Sequence, residues 1–330
     1  MADTRRGRTV SGMESSTVGA PTVRTGPPPP VGPPPRRAGT DRREWLLAAA
    51  LLLPNLLLLT LFVYRPLIDN FRLSFTDYNI SSPTGANSVG TANYVEWLGR
   101  DDTRIILRNT IIFTFASVVI SMVLGLALAL LLDQKLRGRN VVRSLVFAPF
   151  VVSGAAIGVA FQFVFDPSFG LIRDLLARVG VTTPDFFQDS GWALFMVTTT
   201  YIWKNLGYTF VIYLAALQGR RIDLDEAAEI DGASPWTHFR RVLLPQLRPT
   251  TFFLSITVLL NSVQVFDLIY AQTRGGPVGT GTTTLVFQVY QETFVNMRAG
   301  YGATVATIMF LILLTITFIQ VRVMDRGSKA

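Results

Sequence analysis

Polar side chains recur at helical spacing inside one apolar stretch of this 330-residue chain. Asn261, Gln264 and Asp267 follow Thr257 at intervals of four, seven and ten residues, which predicts that they share one helix face. A second apolar stretch carries Lys204, flanked by Trp203, Asn205 and Tyr208. Ammonium and amide groups on apolar helices can hydrogen-bond a polar solute, and an ammonium can pair with phosphate. These side chains are therefore candidates for contact with a polar solute.

The same residues also have structural interpretations, which the sequence leaves open. A lysine at the centre of a membrane span costs about 3 kcal/mol, so something should offset the charge of Lys204. An anionic group of a substrate, Asp267, water or a carbonyl of a partner subunit would each serve. Asn261 and Gln264 equally suit hydrogen bonds between helices. Trp203 suits stacking on a sugar or a choline-like cation, or simple filling of an interface.

Residue usage excludes most enzyme chemistry. The chain has no cysteine and a single histidine, His238, so thiolate catalysis, disulfides and a metal site are not expected. Its three lysines are Lys135, Lys204 and Lys329, and none lies in a glycine-rich phosphate-binding motif. We expect no catalytic residue, no metal and no cofactor in this chain.

The charge balance is basic, but the chain as a whole is apolar. A net charge of +8 would suit nucleic acid, yet only 16% of the residues are charged and 49% are hydrophobic. Soluble domains average about 25% charged residues. The basic charge is more typical of a membrane protein whose arginines orient it, and no nucleic-acid partner is expected.

Six stretches are long and apolar enough to cross a bilayer, which takes about 20 residues. They are residues 45–64, 109–132, 144–165, 190–217, 250–272 and 301–321. Because backbone groups in lipid must pair internally, these stretches should be helices. The predicted fold is an all-α integral membrane protein with six transmembrane helices.

Lysine and arginine are unevenly divided between the segments that join these spans. With the N-terminus inside, the inner segments carry 20 basic residues and the outer segments carry nine, so both termini should be cytoplasmic. Residues 1–44 are rich in proline and arginine without apolar periodicity, which predicts a disordered cytoplasmic tail. The membrane domain is then 45–325, and 326–330 form a short second tail.

A cytoplasmic loop, residues 219–249, has a pattern typical of two short helices. Asp223 is expected to cap the first helix, and Gly232 to end it in a left-handed conformation. Pro235 fits the first turn of the second helix. The apolar stripe of that helix comprises Trp236, Phe239, Val242 and Leu243.

Pro245 and Pro249 follow these two helices and should break the chain before the fifth span. A helix–bend–helix with apolar and acidic faces outside the membrane suits a groove on a partner. The alternative is a folded loop that lies on the inner leaflet.

The same loop carries a resemblance to a known family, the bacterial ABC importer permeases. Their EAA loop resembles Glu226, Ala227, Ala228, Asp231, Gly232, Ala233, Phe239, Pro245 and Pro249 of this chain. The resemblance covers roughly residues 45–325 and is to the carbohydrate-uptake class, of the maltose and glycerol-phosphate type. It implies the type I importer permease fold, in which this loop is a coupling helix that docks on an ATPase. The residues expected to couple are these without Pro249 and together with Trp236.

The resemblance also implies an assembly. It comprises a second, homologous permease subunit, two ATPase subunits and an extracytoplasmic substrate-binding protein, placed in the lipid of a bacterial plasma membrane. ATP and Mg would bind to the ATPase subunits, so this multi-pass chain would not itself be the enzyme. Closure of the ATPase pair would rock the two permeases, and their shared path would open to each side in turn.

Further motifs narrow the resemblance to one subgroup. Asp166-Pro167, Trp203-Lys204 and Gly275-Gly276-Pro277 are similar to those of the first permease subunit of glycerol-3-phosphate and glycerophosphodiester importers. The implied solute is glycerol-3-phosphate or a glycerophosphodiester such as glycerophosphocholine. A trehalose- or maltose-type saccharide is the alternative.

Two further hypotheses stay open. Gly275, Gly276 and Pro277 either contact the binding protein or form a plain turn. A stand-alone secondary transporter is the competing class, and it is disfavoured because only Lys204 and Asp267 are ionised within the spans.

Overall fold

The computed structural model describes residues 42–82, 85–134, 138–277 and 279–327. The predicted tail, residues 1–44, lies outside the described residues up to position 41, and so do residues 328–330 of the second tail. The described part is helical, with an isolated antiparallel bridge between Thr76 and Ser88. The chain divides into two units, of which the first ends at Leu58 and the second begins at Leu59.

The first apolar run forms helix α1 (Arg42–Leu59), which continues through a π-helical turn (Thr60–Tyr64) into α2 (Arg65–Leu73). Two helices follow a loop, α3 (Ala92–Gly99) and α4 (Asp101–Asp133). The later helices are α5 (Arg139–Val151), α6 (Gly154–Phe165), α7 (Leu171–Arg178), α8 (Ser190–Gln218), α9 (Ile222–Ile230), α10 (Pro235–His238), α11 (Leu244–Gln246), α12 (Arg248–Val263), α13 (Asp267–Gln272), α14 (Leu285–Tyr290) and α15 (Ala299–Gly327). Further π-helical turns are Phe239–Leu243 and Gln291–Val295.

Four helical segments of the described chain are long and apolar enough to cross a membrane. They are Trp45–Leu73, Asp101–Asp133, Arg248–Gln272 and Ala299–Met324, and the bent pair α5–α6 makes a fifth if it is counted as one span. Helix α8 has 29 residues, enough to cross, but polar residues such as Lys204 and Asn205 make it less apolar than these. An all-α chain with several membrane spans is therefore confirmed, and the number six stays a prediction.

The predicted third span, 144–165, is not one helix. Helices α5 and α6 meet at Val152 and Ser153 and are bent by 102°. Pro149 removes one backbone donor from the last turn of α5, and proline is the commonest cause of such a kink. This stretch was predicted as one helix because it is apolar and carries no charge.

The predicted fifth span, 250–272, is interrupted near its C-terminal end. Helix α12 ends at Val263, residues 264–266 are not helical, and α13 begins at Asp267. Of the polar residues predicted to share one helix face, Asn261 lies in α12, Gln264 just after its end and Asp267 at the start of α13. They therefore do not belong to one continuous helix.

The chain breaks before this span, at Leu247, which lies between Pro245 and Pro249 as the sequence predicts. The two prolines lie in the first turns of α11 and α12, where the missing N–H has no intrahelical partner to lose. Only Leu247 separates these two helices.

The long helices α4 and α8 pack against each other through small side chains. Four buried residues of α4 recur every four positions: Ser117, Ser121, Gly125 and Ala129. Thr209 Oγ1 of α8 donates to the carbonyl of Ser121 at 2.9 Å. Small residues let helix backbones approach closely, which is the usual basis of helix packing in membranes.

Three clusters of buried apolar side chains stabilise the second unit. One includes Met196 and Leu268 and joins α4, α6, α8, α13 and α14. Another includes Phe210 and Leu243 and joins α4, α8 and α12 to the loop that follows α9. The third surrounds Trp97 and joins α3, α4, α14 and α15. The second cluster fixes the loop of residues 219–249 against two long helices.

Candidate functional site

The loop of residues 219–249 folds as two helices with a bend, as its sequence predicts. Helix α9 begins at Ile222, and Arg221 at its N-cap position makes no side-chain cap. The expectation that Asp223 caps this helix was therefore wrong, since Asp223 lies within the first turn. A carboxylate there still interacts favourably with the positive end of the helix dipole.

Gly232 ends the first helix in the conformation that the sequence predicts. Its φ is +69°, a left-handed value that side chains with a Cβ rarely adopt. The N–H of Ala233 donates to the carbonyl of Ala228 at 3.0 Å, which closes the turn. Ser234 then caps α10, its Oγ accepting from Thr237 N, and Pro235 occupies the first helical position.

This helix pair exposes both apolar and acidic side chains. Ile230 is 86% exposed and Trp236 is 68% exposed. Three carboxylates, those of Glu226, Glu229 and Asp231, are also exposed and have no ion-pair or side-chain hydrogen-bond partner among the described residues. We call these five residues the docking face. Large exposed apolar side chains beside unpaired charges are typical of a surface that another protein covers.

The other predicted coupling residues differ in how far they are buried. Ala228 is buried, whereas Ala227 and Gly232 are exposed. Phe239 is half-buried, stacks on Trp236 with ring centres 5.7 Å apart and packs on the second apolar cluster. Ala233 and Pro245 are also half-buried.

Other acidic residues of the loop are paired. Asp223 pairs with Arg221, whose hydrogen bond lowers the pKa of the Asp223 carboxyl. Asp225 lies between Arg220 and His238. Burial acts to raise the pKa of Asp225, but the hydrogen bonds from Arg220 and His238 outweigh it, so the pKa is lowered. The only histidine of the chain therefore has a structural contact.

Lys204 is half-buried beside the break in the third span. Its Nζ donates to the carbonyl of Phe150 at 3.4 Å and lies 5.5 Å from the centre of the Phe150 ring. No carboxylate among the described residues is within ion-pair distance of Nζ, so Asp267 does not neutralise it. The carbonyl that offsets part of its charge belongs to this chain.

The neighbours of Lys204 on α8 point in different directions. Trp203 is 44% exposed, and its ring centre is 5.0 Å from that of Phe161. Tyr208 stacks on Phe150 at 5.3 Å, and its hydroxyl donates to Thr257 Oγ1 on α12. Asn205 is buried and donates to the carbonyl of Tyr201 in its own helix. Asn205 therefore does not share the accessible face of Lys204 and Trp203.

The polar residues of the fifth span lie at its interruption. Asn261 and Gln264 are exposed and make no side-chain hydrogen bond within the described chain. Asp267 starts α13, where its Oδ1 accepts from the N–H of Leu268 at 2.9 Å. Its carboxylate occupies the space over Gly154, at the start of α6. Both interrupted spans therefore meet at Asp267.

Two glutamines that the sequence did not single out hold this region together. Gln162 Nε2 donates to the carbonyls of Ala271 and Gln272 at 2.8 and 2.9 Å, which ties α6 to α13. Gln272 is buried, and its Nε2 donates to Thr200 Oγ1 on α8 at 3.0 Å. A polar residue inside an apolar stretch was the available signal, but it does not reveal its partner.

The loop with Gly275, Gly276 and Pro277 is packed against the chain. Gly275 is buried, and its carbonyl accepts from the N–H of Thr282 at 3.0 Å. Gly276 and Pro277 are half-buried. Buried Asn109 on α4 donates to three carbonyls of this loop, those of Thr280, Gly281 and Thr283. Of the three predicted contacts with a binding protein, Gly275 is enclosed by its own chain.

These groups can bind and orient a solute rather than transform it. The accessible set comprises one cation, one carboxylate, two amides and an aromatic platform. The described residues contain no cluster of three histidine, aspartate or glutamate side chains that could hold a metal ion.

The family is decided by comparison with known sequences. Residues 121–329 match the model of the binding-protein-dependent transport system inner membrane component. The chain belongs to this family. It is a permease subunit of an ABC importer, as the EAA-like loop indicated, and a multi-pass membrane protein.

Relatives of this permease include annotated importer subunits. A probable ABC transporter permease protein of Pyrococcus horikoshii is 35% identical over 80% of this chain and 90% of its own length. The sn-glycerol-3-phosphate transport system permease protein UgpA of Pectobacterium atrosepticum is 34% identical over 83% of this chain and 92% of its own.

A solved structure has the same fold as this permease. It is the bacterial alginate ABC transporter in complex with an alginate pentasaccharide-bound periplasmic protein. The matched chain is 23% identical, with a TM-score of 0.76, and the match covers 88% of this permease and 97% of that chain. The type I importer permease fold is therefore confirmed.

Proposed function

We propose that this permease forms half of the path for a phosphate-bearing solute and that its docking face binds an ATPase subunit. The assembly would contain a second permease of the same family, two ATPase subunits that bind ATP and Mg, and an extracytoplasmic binding protein. The chain would cross the membrane six times, with the bent pair α5–α6 and the less apolar α8 as two of the spans, and both termini would lie in the cytoplasm. The observation that carries the solute assignment is half-buried Lys204, which has no carboxylate partner among the described residues.

The docking face supports the coupling role. Ile230 and Trp236 are strongly exposed, and three exposed carboxylates of the same loop have no partner among the described residues. A surface that offers apolar and acidic groups suits a groove that offers apolar and basic ones. Phe239 and Leu243 connect this face to the apolar cluster of α4 and α8.

A charge reversal at Glu226 tests this docking. We expect Glu226→Lys to reduce co-purification of the ATPase subunits at least tenfold and to abolish solute-stimulated ATP hydrolysis, because like charges across an interface cost several kcal/mol. The control is Asp174→Lys, which makes the same reversal on the exposed helix α7. Normal association and stimulation in the Glu226 variant would refute the docking role.

Lys204 supports an anionic solute. An ammonium group has three donors, and within the described residues only one is used by a distant carbonyl acceptor at 3.4 Å. A phosphate offers charge-assisted hydrogen bonds that a carbonyl cannot match. The 34% identity to a glycerol-3-phosphate permease agrees with this assignment. Glycerol-3-phosphate or a glycerophosphodiester such as glycerophosphocholine is the proposed solute.

Transport of paired solutes tests the role of Lys204. In vesicles holding the complete importer, we expect Lys204→Ala to reduce glycerol-3-phosphate uptake at least tenfold and uptake of any neutral saccharide far less. Lys204→Arg keeps the charge and should retain part of the uptake. Equal effects of Lys204→Ala on both solutes would refute an anion contact.

An oligosaccharide is the second candidate, because of the aromatic pair formed by Trp203 and Phe161. Exposed aromatic rings stack on sugar faces, and the chain of similar fold belongs to an alginate transporter. Under this alternative, Trp203→Ala would reduce uptake of a neutral di- or trisaccharide, and Lys204→Ala would leave it unchanged.

A further inference from the structure

Arg220 joins four helices at one point on the cytoplasmic loop. Its Nε donates to Asp225 Oδ2 on α9 at 2.7 Å, and its Nη1 donates to Asp133 Oδ2, on the last residue of α4, at 2.6 Å. Nη1 also donates to the carbonyl of Leu217 in the last turn of α8 at 3.0 Å. The other oxygen of Asp225 lies 3.0 Å from Nε2 of His238 on α10. We call these residues the arginine junction.

The arginine junction differs from the ion pair next to it. The side chains of Arg220, Asp133 and Asp225 are 27%, 20% and 14% exposed. The adjacent pair of Arg221 and Asp223 is 70% and 62% exposed and links positions two residues apart. Exposed pairs are screened and contribute little, whereas partly buried ones are screened less. The junction also spans 87 residues of sequence, so it fixes separate elements to one another.

The chemistry of the junction requires arginine. Its planar guanidinium presents donors in fixed directions, so it can serve two carboxylates and a carbonyl together. A lysine would supply the charge from a single flexible point and could not hold all three acceptors in this arrangement.

Helices α4 and α8 connect the arginine junction to the region around Lys204. From Leu217 back to Lys204, helix α8 is unbroken over 13 residues, a rise of about 20 Å. Helix α4 ends at Asp133 and packs on α8 through its row of small residues. A displacement of α9 would therefore be transmitted to Lys204 by α4 and α8, which are packed together.

We propose that Arg220 is the positioning residue that transmits movement of the docking face to α4 and α8. Its guanidinium holds α9 and α10 rigidly on the ends of these helices, so that a displacement of the loop also moves the part of α8 that carries Lys204. The proposal rests on the docking role of the loop proposed above. It adds that association with the ATPase and transmission of its movement use different residues of the loop.

The test measures how many solute molecules are transported for each ATP hydrolysed. The full importer, with its partner permease, ATPase subunits and binding protein, is reconstituted in vesicles. For Arg220→Ala we expect normal co-purification of the ATPase, ATP hydrolysis within twofold of the unaltered importer, and a loss of at least tenfold in solute transported per ATP. Arg220→Lys should reduce the solute transported per ATP three- to tenfold, because an ammonium group supplies the charge but cannot donate to all three acceptors in this arrangement.

The matched control is Arg221→Ala, which removes the neighbouring exposed pair and should change the transport ratio less than twofold. A double variant, Arg220→Ala with Asp133→Asn, should transport as much solute per ATP as Arg220→Ala alone, because both substitutions remove the same interaction. A loss that multiplies in the double variant would show independent roles and would overturn the proposal.

Two results separate this proposal from the docking role. If Arg220→Ala loses the ATPase subunits in the way expected of Glu226→Lys, Arg220 supports association and the transmission role is wrong. If Glu226→Lys has no effect, the docking role itself fails, whatever Arg220 does. If Arg220→Ala does not accumulate, Arg220→Lys decides, and an unchanged transport ratio in that variant overturns the proposal.

Discussion

Lys204 and Arg220 are half-buried cations of the same chain with different surroundings. Lys204 has one carbonyl acceptor and an aromatic ring, so most of its hydrogen-bonding capacity is free for a ligand. Arg220 already donates to two carboxylates and a carbonyl, which leaves little capacity for one. The first cation therefore suits recognition of a solute and the second suits mechanical connection.

Asp225 makes the arginine junction sensitive to acid. Hydrogen bonds from Arg220 and His238 lower its pKa below the ordinary value of 3.8, despite the opposing effect of burial. Its carboxylate therefore stabilises the loop fully above pH 3.8, and this contribution is lost as the pH falls through the lowered pKa. A fluorescent label on Ile230→Cys should report loosening of α9 in that acid range.

The control for this titration is Asp225→Asn in the same labelled chain. It has no carboxylate that could take up a proton, so the loop should be loosened already at neutral pH and should show no further change between pH 5 and pH 3. An acid transition that is identical in the Asp225→Asn chain would assign the effect to another group.

At the scale of helices, the sequence predicted positions well where local rules apply. Gly232 and Pro235 set the bend between α9 and α10 because each acts on its own backbone. The break at Val152 was not foreseen, although Pro149 and the Ser153-Gly154 pair are residue types at which helices kink. Arg220 gave no signal, because Asp133 lies 87 residues away and only the packing of α4 on α8 brings them together.

The close crossing of α5 and α8 at Gly207 gives a prediction for these two helices. A Cβ at Gly207 would lie 2.5 Å from the carbonyl oxygen of Val146 and 2.8 Å from Cα of Phe147, which are backbone atoms that cannot move aside. We expect Gly207→Ala to destabilise the purified permease by about 1–3 kcal/mol, the usual cost of overpacking. Thermal unfolding of the complex measures it.

The control for this crossing is Gly219→Ala, just past the end of the same helix. The nearest atom to a Cβ there is 3.6 Å away, an ordinary contact. The melting temperature should stay within about one degree of the parent. A loss as large as that of Gly207→Ala would show that α8 tolerates no added methyl group, and the crossing would then not be special.

For the whole molecule, composition and loop charges predicted the class and a multi-pass membrane protein before any fold was known. The family followed from a short loop, because Glu226, Gly232 and Pro245 occupy characteristic positions there. The path for the solute was harder to predict. Asn205 was predicted to flank Lys204 and Gln264 to share a polar helix face, yet Asn205 is buried and Gln264 lies beyond the end of its helix.

The absence of native cysteine makes the orientation of the whole chain directly testable. Ile230→Cys on the docking face and Thr182→Cys in the loop before α8 place single thiols at exposed positions on opposite predicted sides. A membrane-impermeant maleimide should label Thr182→Cys in intact cells and Ile230→Cys only in inside-out vesicles. The reverse pattern would contradict cytoplasmic placement of the loop.

The paired and unpaired acids of the loop have a consequence for how such importers diversify. Asp133 and Asp225 are bound within the chain, while Glu226, Glu229 and Asp231 face outwards without partners. Under the docking role proposed above, substitutions at the outer three would adapt the permease to a different ATPase without disturbing its internal ion pairs. Recognition of the ATPase and recognition of the solute would then be able to evolve separately.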